Sequence, residues 1–208
     1  MSIKNILPSE IEKESFRIIR SELAAMGKEI PDEVEPTVVR VIHTTADFEY
    51  ADTMRFSEGA VGIIKDALRS GAHIVTDTNM ALSGVSKKTL EKFGGQVHCF
   101  MADEDVAKEA KERSVTRAYV SMEKAAKLGV PIVFAIGNAP TALLRLRELY
   151  DNEGLRPEAI IAVPVGFVNV VEAKDLIMEM DVPYIVNVGR KGGSTVAAAI
   201  CNSILYNM

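Results

Sequence analysis

The chain is expected to fold as an α/β protein, a three-layer α/β/α sandwich on a mainly parallel sheet. Three observations predict this. Helix-like and strand-like segments alternate almost from end to end. The strand-like runs are dense in Val and Ile without polar alternation, which marks strands buried on both faces. Neither an internal repeat nor a linker-like stretch divides the 208 residues, so one domain spanning 1–208 is expected.

The elements follow in order. Ser9-Glu10-Ile11-Glu12 has the form of a capping box ahead of a helix running to about Met26. A loop with two prolines follows, and then a β-branched run, 37–45, that reads as a strand ending at His43. A helix over 58–70 leads to strand 73–77, and a helix near 87–93 leads to strand 96–101. Helix 115–128 stops at Gly129 and feeds strand 131–137. Helix 141–151 precedes strand 159–167, and helix 170–180 precedes strand 183–189. The chain closes on a small-residue helix over 192–205. Such alternation implies right-handed βαβ units.

Composition narrows the function. Net charge is −5, which offers no electrostatic footprint for nucleic acid. No apolar run reaches the ~18 residues of a membrane span, and the first residues lack a secretory signal pattern. Cys99 and Cys201 lie far apart and outside any CxxC motif, which suits a reduced, cytoplasmic protein. No His or Cys pair has metal-ligand spacing. The phosphate-binding glycine signatures and the G-x-S-x-G nucleophile elbow are also missing.

In doubly wound sheets, ligands bind beyond the carboxyl ends of the strands. The expected strand ends carry His43, Asp77-Thr78-Asn79, Gly137-Asn138, Gly166 and Gly189-Arg190-Lys191-Gly192-Gly193-Ser194. Glycines there allow close backbone approach, and helix N-termini favour anions, but short turns need glycine anyway.

Each candidate side chain has two readings. His43 is one of three histidines; it is either a satisfied rim residue or an acid/base group, with a reference pKa of about 6.5. His73 and His98 read as structural. Arg40, flanked by valines, needs a carboxylate from the protein or from a ligand. On a regular strand it would face away from His43. Arg117 falls three residues after Ser114, where a capping box would place an acid, so it is either solvated or meets an anion. Ser15 interrupts an apolar helix stripe and bonds either to its own helix or to a ligand. Arg17 reads as a solvated charge and Ser86 as an N-cap. From the residues alone, both an acid/base enzyme acting on a small polyanion and a non-catalytic anion-binding module fit.

The order of longer motifs adds to this. IEKESFRIIRSEL (11–23), RVIHTTADFEYADTMRFSEGAV (40–61), DTNMALSGVSKKTL (77–90), TRAYVSME (116–123), AIGNAPTALLRL (135–146), VPVGFVNVVEAKD (163–175) and VPYIVNVGRKGGSTVAAAICN (182–202) cover nearly the whole chain. In these stretches the chain resembles the precorrin-8X and cobalt-precorrin-8 methylmutases of cobalamin biosynthesis. The resemblance implies a Rossmann-like sheet and an isomerase that moves a methyl group from C-11 to C-12 of a corrin-type macrocycle. No cofactor is implied, since any cobalt belongs to the substrate; the HTTADFEYAD wording looks more like the anaerobic members, whose substrate carries cobalt. It assigns proton transfer to His43. It assigns contacts with the substrate's carboxylates to Arg17, Arg40, Ser86 and Arg117, with Gly137, Asn138, Gly192, Gly193 and Ser194 at helix starts that can receive them. Ser15 and Gly166 complete the candidate substrate-binding set. A homodimer with sites at the subunit boundary is also implied. A corrinoid carrier without chemistry is the alternative.

Overall fold

The structure, a computed structural model, describes residues 7–208. A turn of 3-10 helix, Pro8–Glu10, leads into α1 (Ile11–Ala25), followed by α2 (Glu35–Thr45), α3 (Tyr50–Thr53), β1 (Met54–Phe56) and α4 (Ala60–Arg69). Next come β2 (His73–Thr76), α5 (Asn79–Gly84), α6 (Lys87–Leu90), β3 (Val97–His98) and α7 (Glu104–Glu112). The chain ends with α8 (Arg117–Ala126), β4 (Ile132–Ile136), α9 (Pro140–Glu153), β5 (Ala159–Ala162), α10 (Val170–Met178), β6 (Tyr184–Asn187) and α11 (Ser194–Tyr206). The side chain of Ser9, the expected cap of α1, lies outside the described residues.

The strands form one sheet in the order β1-β6-β5-β4-β2-β3. All neighbours run parallel except β1, which pairs antiparallel with β6. From β2 the chain steps outward to β3, and β4, β5 and β6 then build away on the other side. The switch point therefore lies between β2 and β4. Successive strand residues feed opposite faces. Ile74, Val133, Ala135, Ile161 and Ile185 pack with α2, α4 and α11. Val75, Phe134, Ile160, Ala162 and Val186 pack with α8, α9 and α10. Those two apolar faces are the two cores of the expected three-layer sandwich.

The first expected strand is not one. Residues 37–45 lie in α2, an α-helix. Pro36 sits at its start and Glu35 in its first turn, both favoured there. Val38, Val41 and Ile42 fall on one helical stripe and are buried, and the Thr37 hydroxyl meets that of Ser203 in α11 at 3.2 Å. Burial of that stripe outweighs the low helix propensity of β-branched residues. The Thr44 and Thr45 hydroxyls donate to the carbonyls of Arg40 and Val41, each at 2.9 Å. His43 thus stands in the last turn of a helix rather than at a strand end. Expected strands 96–101 and 159–167 are also shorter, covering Val97–His98 and Ala159–Ala162.

Candidate active site

The candidate residues fall into two neighbouring groups. The first surrounds α2. Its helical geometry puts Arg40 and His43 three residues apart on one face, so the expected opposition between them disappears. The His43 ring is exposed and meets Phe16 of α1 edge-on, with centroids 5.2 Å apart. The Arg40 guanidinium lies between the rings of Phe16 and Tyr206, at 5.1 and 5.0 Å, and pairs with Glu12 at 3.1 Å. Arg40 and Thr44 form one wall of a groove of about 250 Å³; Met80 and Gly84 of α5 form the other, and Ala198 and Asn202 of α11 line its floor. Gly84 is required there, because a Cβ would lie 2.8 Å from that of Ala198.

Three candidates of this group have partners inside the chain. The Ser15 hydroxyl donates to the Ile11 carbonyl at 2.9 Å, the local alternative. Arg17 forms a two-pronged pair with Glu14 and is exposed. Ser86 holds the N-cap position of α6, but its hydroxyl meets that of Thr89 at 2.9 Å and makes no cap bond. Its backbone N–H donates to Asn202, which ties it to the groove floor.

The second group lies at the carboxyl edge of the sheet. The Asp77 carboxylate, just beyond β2, accepts from the backbone N–H groups of Gly137, Asn138 and Ala139 at 2.9, 2.8 and 2.6 Å. The loop entering α9 is therefore filled from within, which corrects the expectation that Gly137 and Asn138 offer open N–H groups to a ligand. Burial pushes the Asp77 carboxyl pKa up, against the pull of those three donors. Gly137 has a second reason: a Cβ there would lie 2.7 Å from the Cα of Ser194.

The start of α11 is built differently. Gly193 N–H donates to Val163 O at 2.9 Å, and a Cβ on Gly192 would fall 2.0 Å from that same oxygen. The Thr78 hydroxyl caps α5 and donates to the Ser194 hydroxyl at 2.8 Å. Gly166 N–H donates to Arg190 O at 3.1 Å, joining the β5–α10 and β6–α11 loops. No side chain caps α11.

Several contributors were not singled out from sequence. Lys174 is fully buried, and its ammonium donates to the carbonyls of Gly189 and Lys191 at 2.8 and 2.9 Å. Burial lowers its pKa to about 8. Lysine in the buried stripe of Val170, Ala173 and Ile177 was a signal available to sequence reading. Lys191 pairs with Asp47 at 2.5 Å and with Glu49 at 2.8 Å, so the β6–α11 loop is fastened to the chain just after His43. That pairing brings the two groups of residues together.

Arg117 is the first residue of α8; the cap is Thr116, whose hydroxyl accepts from Tyr119 N–H, and not Ser114. The Thr116 hydroxyl also meets Thr141 in the first turn of α9 at 2.8 Å. Among the described residues, Arg117 and Arg190 are the arginines whose side chains make no hydrogen bond or ion pair with the protein, and both are exposed. His73 and His98 meet each other instead, Nδ1 to Nε2 at 2.8 Å, consistent with their structural reading. Among the described residues no cluster of three His, Cys, Asp or Glu side chains could hold a metal ion, and no helix is long and apolar enough to cross a membrane.

The chain offers an exposed imidazole next to a small-residue groove wall, two unpaired guanidinium groups at other loop and helix starts, and an uncapped start of α11. Such a set suits proton transfer to a bound polyanion. Comparison with known proteins identifies the family. The model of the family described as precorrin-8X methylmutase matches residues 10–207. The cobalt-precorrin-8 methylmutase of Priestia megaterium is 44% identical, covering 96% of this chain and 88% of the relative. That of Leptospira interrogans is 40% identical, covering 96% and 93%. A crystal structure of precorrin-8x methyl mutase from Thermus thermophilus superposes with a TM-score of 0.85 at 40% identity, covering 95% of this chain and 96% of that one. With motifs, fold and near full-length similarity all in accord, the chain belongs to the precorrin-8X methylmutase family.

Proposed function

We propose that the chain catalyses the methylmutase step of cobalamin biosynthesis, moving a methyl group from C-11 to C-12 of the precorrin-8 macrocycle. Family membership supports the reaction class. The names of the two relatives above support the cobalt-bearing form of the substrate, with cobyrinic acid as product. The observation that carries the chemistry is the exposed ring of His43, between Arg40 and Thr44, which both line the groove.

The reaction is an isomerisation, so the proton is borrowed and returned. An imidazolium at His43 gives its proton to a ring nitrogen of the macrocycle, which withdraws electron density from the conjugated system. The methyl group then migrates across the adjacent carbons in a formal [1,5] shift, and the imidazole recovers the proton. Arg117 and the N–H groups at Ser194 and Thr195 receive carboxylates and hold the ring in one orientation. Arg40 serves from the groove wall while Glu12 and its two aromatic neighbours fix its guanidinium. A homodimer remains part of this reading, with the second copy closing the open groove.

The test is His43→Ala assayed with cobalt-precorrin-8 by the absorption change of the corrin product. Turnover is expected to fall by about 10²–10⁴-fold, with affinity for cobyrinic acid kept. Undiminished turnover removes His43 from the chemistry. Wild-type protein that binds the macrocycle and leaves it unchanged is a corrinoid carrier.

A further inference from the structure

Beyond β5 the chain presents three apolar side chains to solvent. Phe167 is 81% exposed, Val168 75% and Val165 47%. A contiguous apolar patch of this kind marks an interaction surface more often than a chance of sequence. The loop is also well fixed. Gly166 N–H is bonded to Arg190 O, and a Cβ at Gly166 would lie 2.8 Å from Val170. Asn169, in the left-handed region at φ 56°, ends the loop and starts α10. A fixed apolar surface loses little freedom on binding.

The guanidinium of Arg190 lies 5.4 Å from the Phe167 ring and has no carboxylate partner among the described residues. The patch therefore joins an aromatic face to an unspent cation. Its place is continuous with the candidate site: the loop leaves β5 through Val163, whose carbonyl accepts the Gly193 N–H at the start of α11. Lys174 fixes the carbonyls on either side of Arg190.

We propose that Phe167, Val168 and Arg190 form a substrate-docking element, in which the loop takes an apolar edge of the macrocycle and Arg190 takes one of its carboxylates. This rests on the reading that the substrate is a polycarboxylate macrocycle. A flat apolar body with acids at its rim matches both halves of the patch at once, because the aromatic ring packs on the body while the guanidinium pairs with the rim.

The experiment measures dissociation constants of cobyrinic acid and of its methyl ester, in which every carboxylate is masked. Phe167→Ala is expected to weaken both compounds about tenfold. Arg190→Ala is expected to weaken the acid about tenfold and leave the ester unchanged. Both residues are exposed, so unchanged melting curves will accompany these effects. Wild-type affinity for both compounds in either variant overturns the proposal. So does a Phe167→Ala protein with unchanged affinity and reduced self-association in sedimentation, which assigns the loop to a contact between copies. Wild-type protein that binds neither compound overturns the underlying function, and the docking element with it.

Discussion

Two long helices begin at the carboxyl edge of the sheet, and the loops that lead into them are held in opposite ways. Ahead of α9 the Asp77 carboxylate takes three hydrogen bonds, from the loop N–H groups of Gly137 and Asn138 and from that of the cap residue Ala139. At α11 a diglycine brings the backbone against Val163 O, no side chain caps the turn, and the loop is held from behind by buried Lys174. Both ends present the same partial positive charge. A protein carboxylate stands at the entry to one, and no side chain caps the other. A glycine next to a helix start thus does not identify an anion site; what matters is whether a protein carboxylate already occupies it.

The comparison breaks most visibly at Asp77. Asp77→Ala leaves three N–H groups without their acceptor, the one of Gly137 buried and the other two partly so, at an expected cost of about 3 kcal/mol. For a chain of this size that lowers the melting temperature by about 6–12 °C. Acetate in the buffer should recover part of the loss, because it supplies the missing carboxylate. A variant as stable as wild type would show that α9 needs no plug.

Gly192→Ala probes the other end. Its Cβ cannot coexist with Val163 O at 2.0 Å, so the diglycine must shift, at an expected cost of about 2 kcal/mol. Corrinoid affinity should fall with it. Calorimetry and a binding titration report the two effects, and a lost stability with wild-type affinity would separate α11 from the substrate.

Lys174→Met gives the smallest effect and the sharpest signature. Burial lowers the ammonium pKa from 10.5 to about 8. Between those values the unfolded chain binds the proton and the folded chain does not, so this group's contribution to stability rises with pH across the window. Denaturant titrations from pH 8 to 10.5 should show the rise in wild type and not in the variant. Equal slopes would place the charge of Lys174 outside the folding equilibrium.

How far the sequence could be read depended on which force decided each element. β2, β4, β5 and β6 were legible because strands covered on both faces must be apolar throughout. α2 was not, since its β-branched residues suit a strand locally and only packing against α11 makes them helical. Pro36 and Glu35 were the usable signals. α7 has no counterpart among the expected elements, and β1 is too short to show a pattern. Among the candidates, His43 and Arg117 stand out by residue type alone, whereas Asp77 acquires its meaning from N–H groups sixty positions away. Ser15 takes the bond to its own helix that the sequence offers as one alternative, and Arg17 is the exposed charge it reads as, paired with Glu14.

The rims of the sheet carry a consequence for assembly. An open strand edge invites another chain to join it and can seed aggregation. Here the outer strands are β3, of two residues, and β1, of three. The Arg55 guanidinium turns back onto the carbonyls of Asp52 and Met54, at 2.7 and 2.9 Å, engaging acceptors that an incoming strand would use. Sheet extension is disfavoured at both rims, which leaves helix and loop surfaces, the candidate groove among them, for any contact between copies.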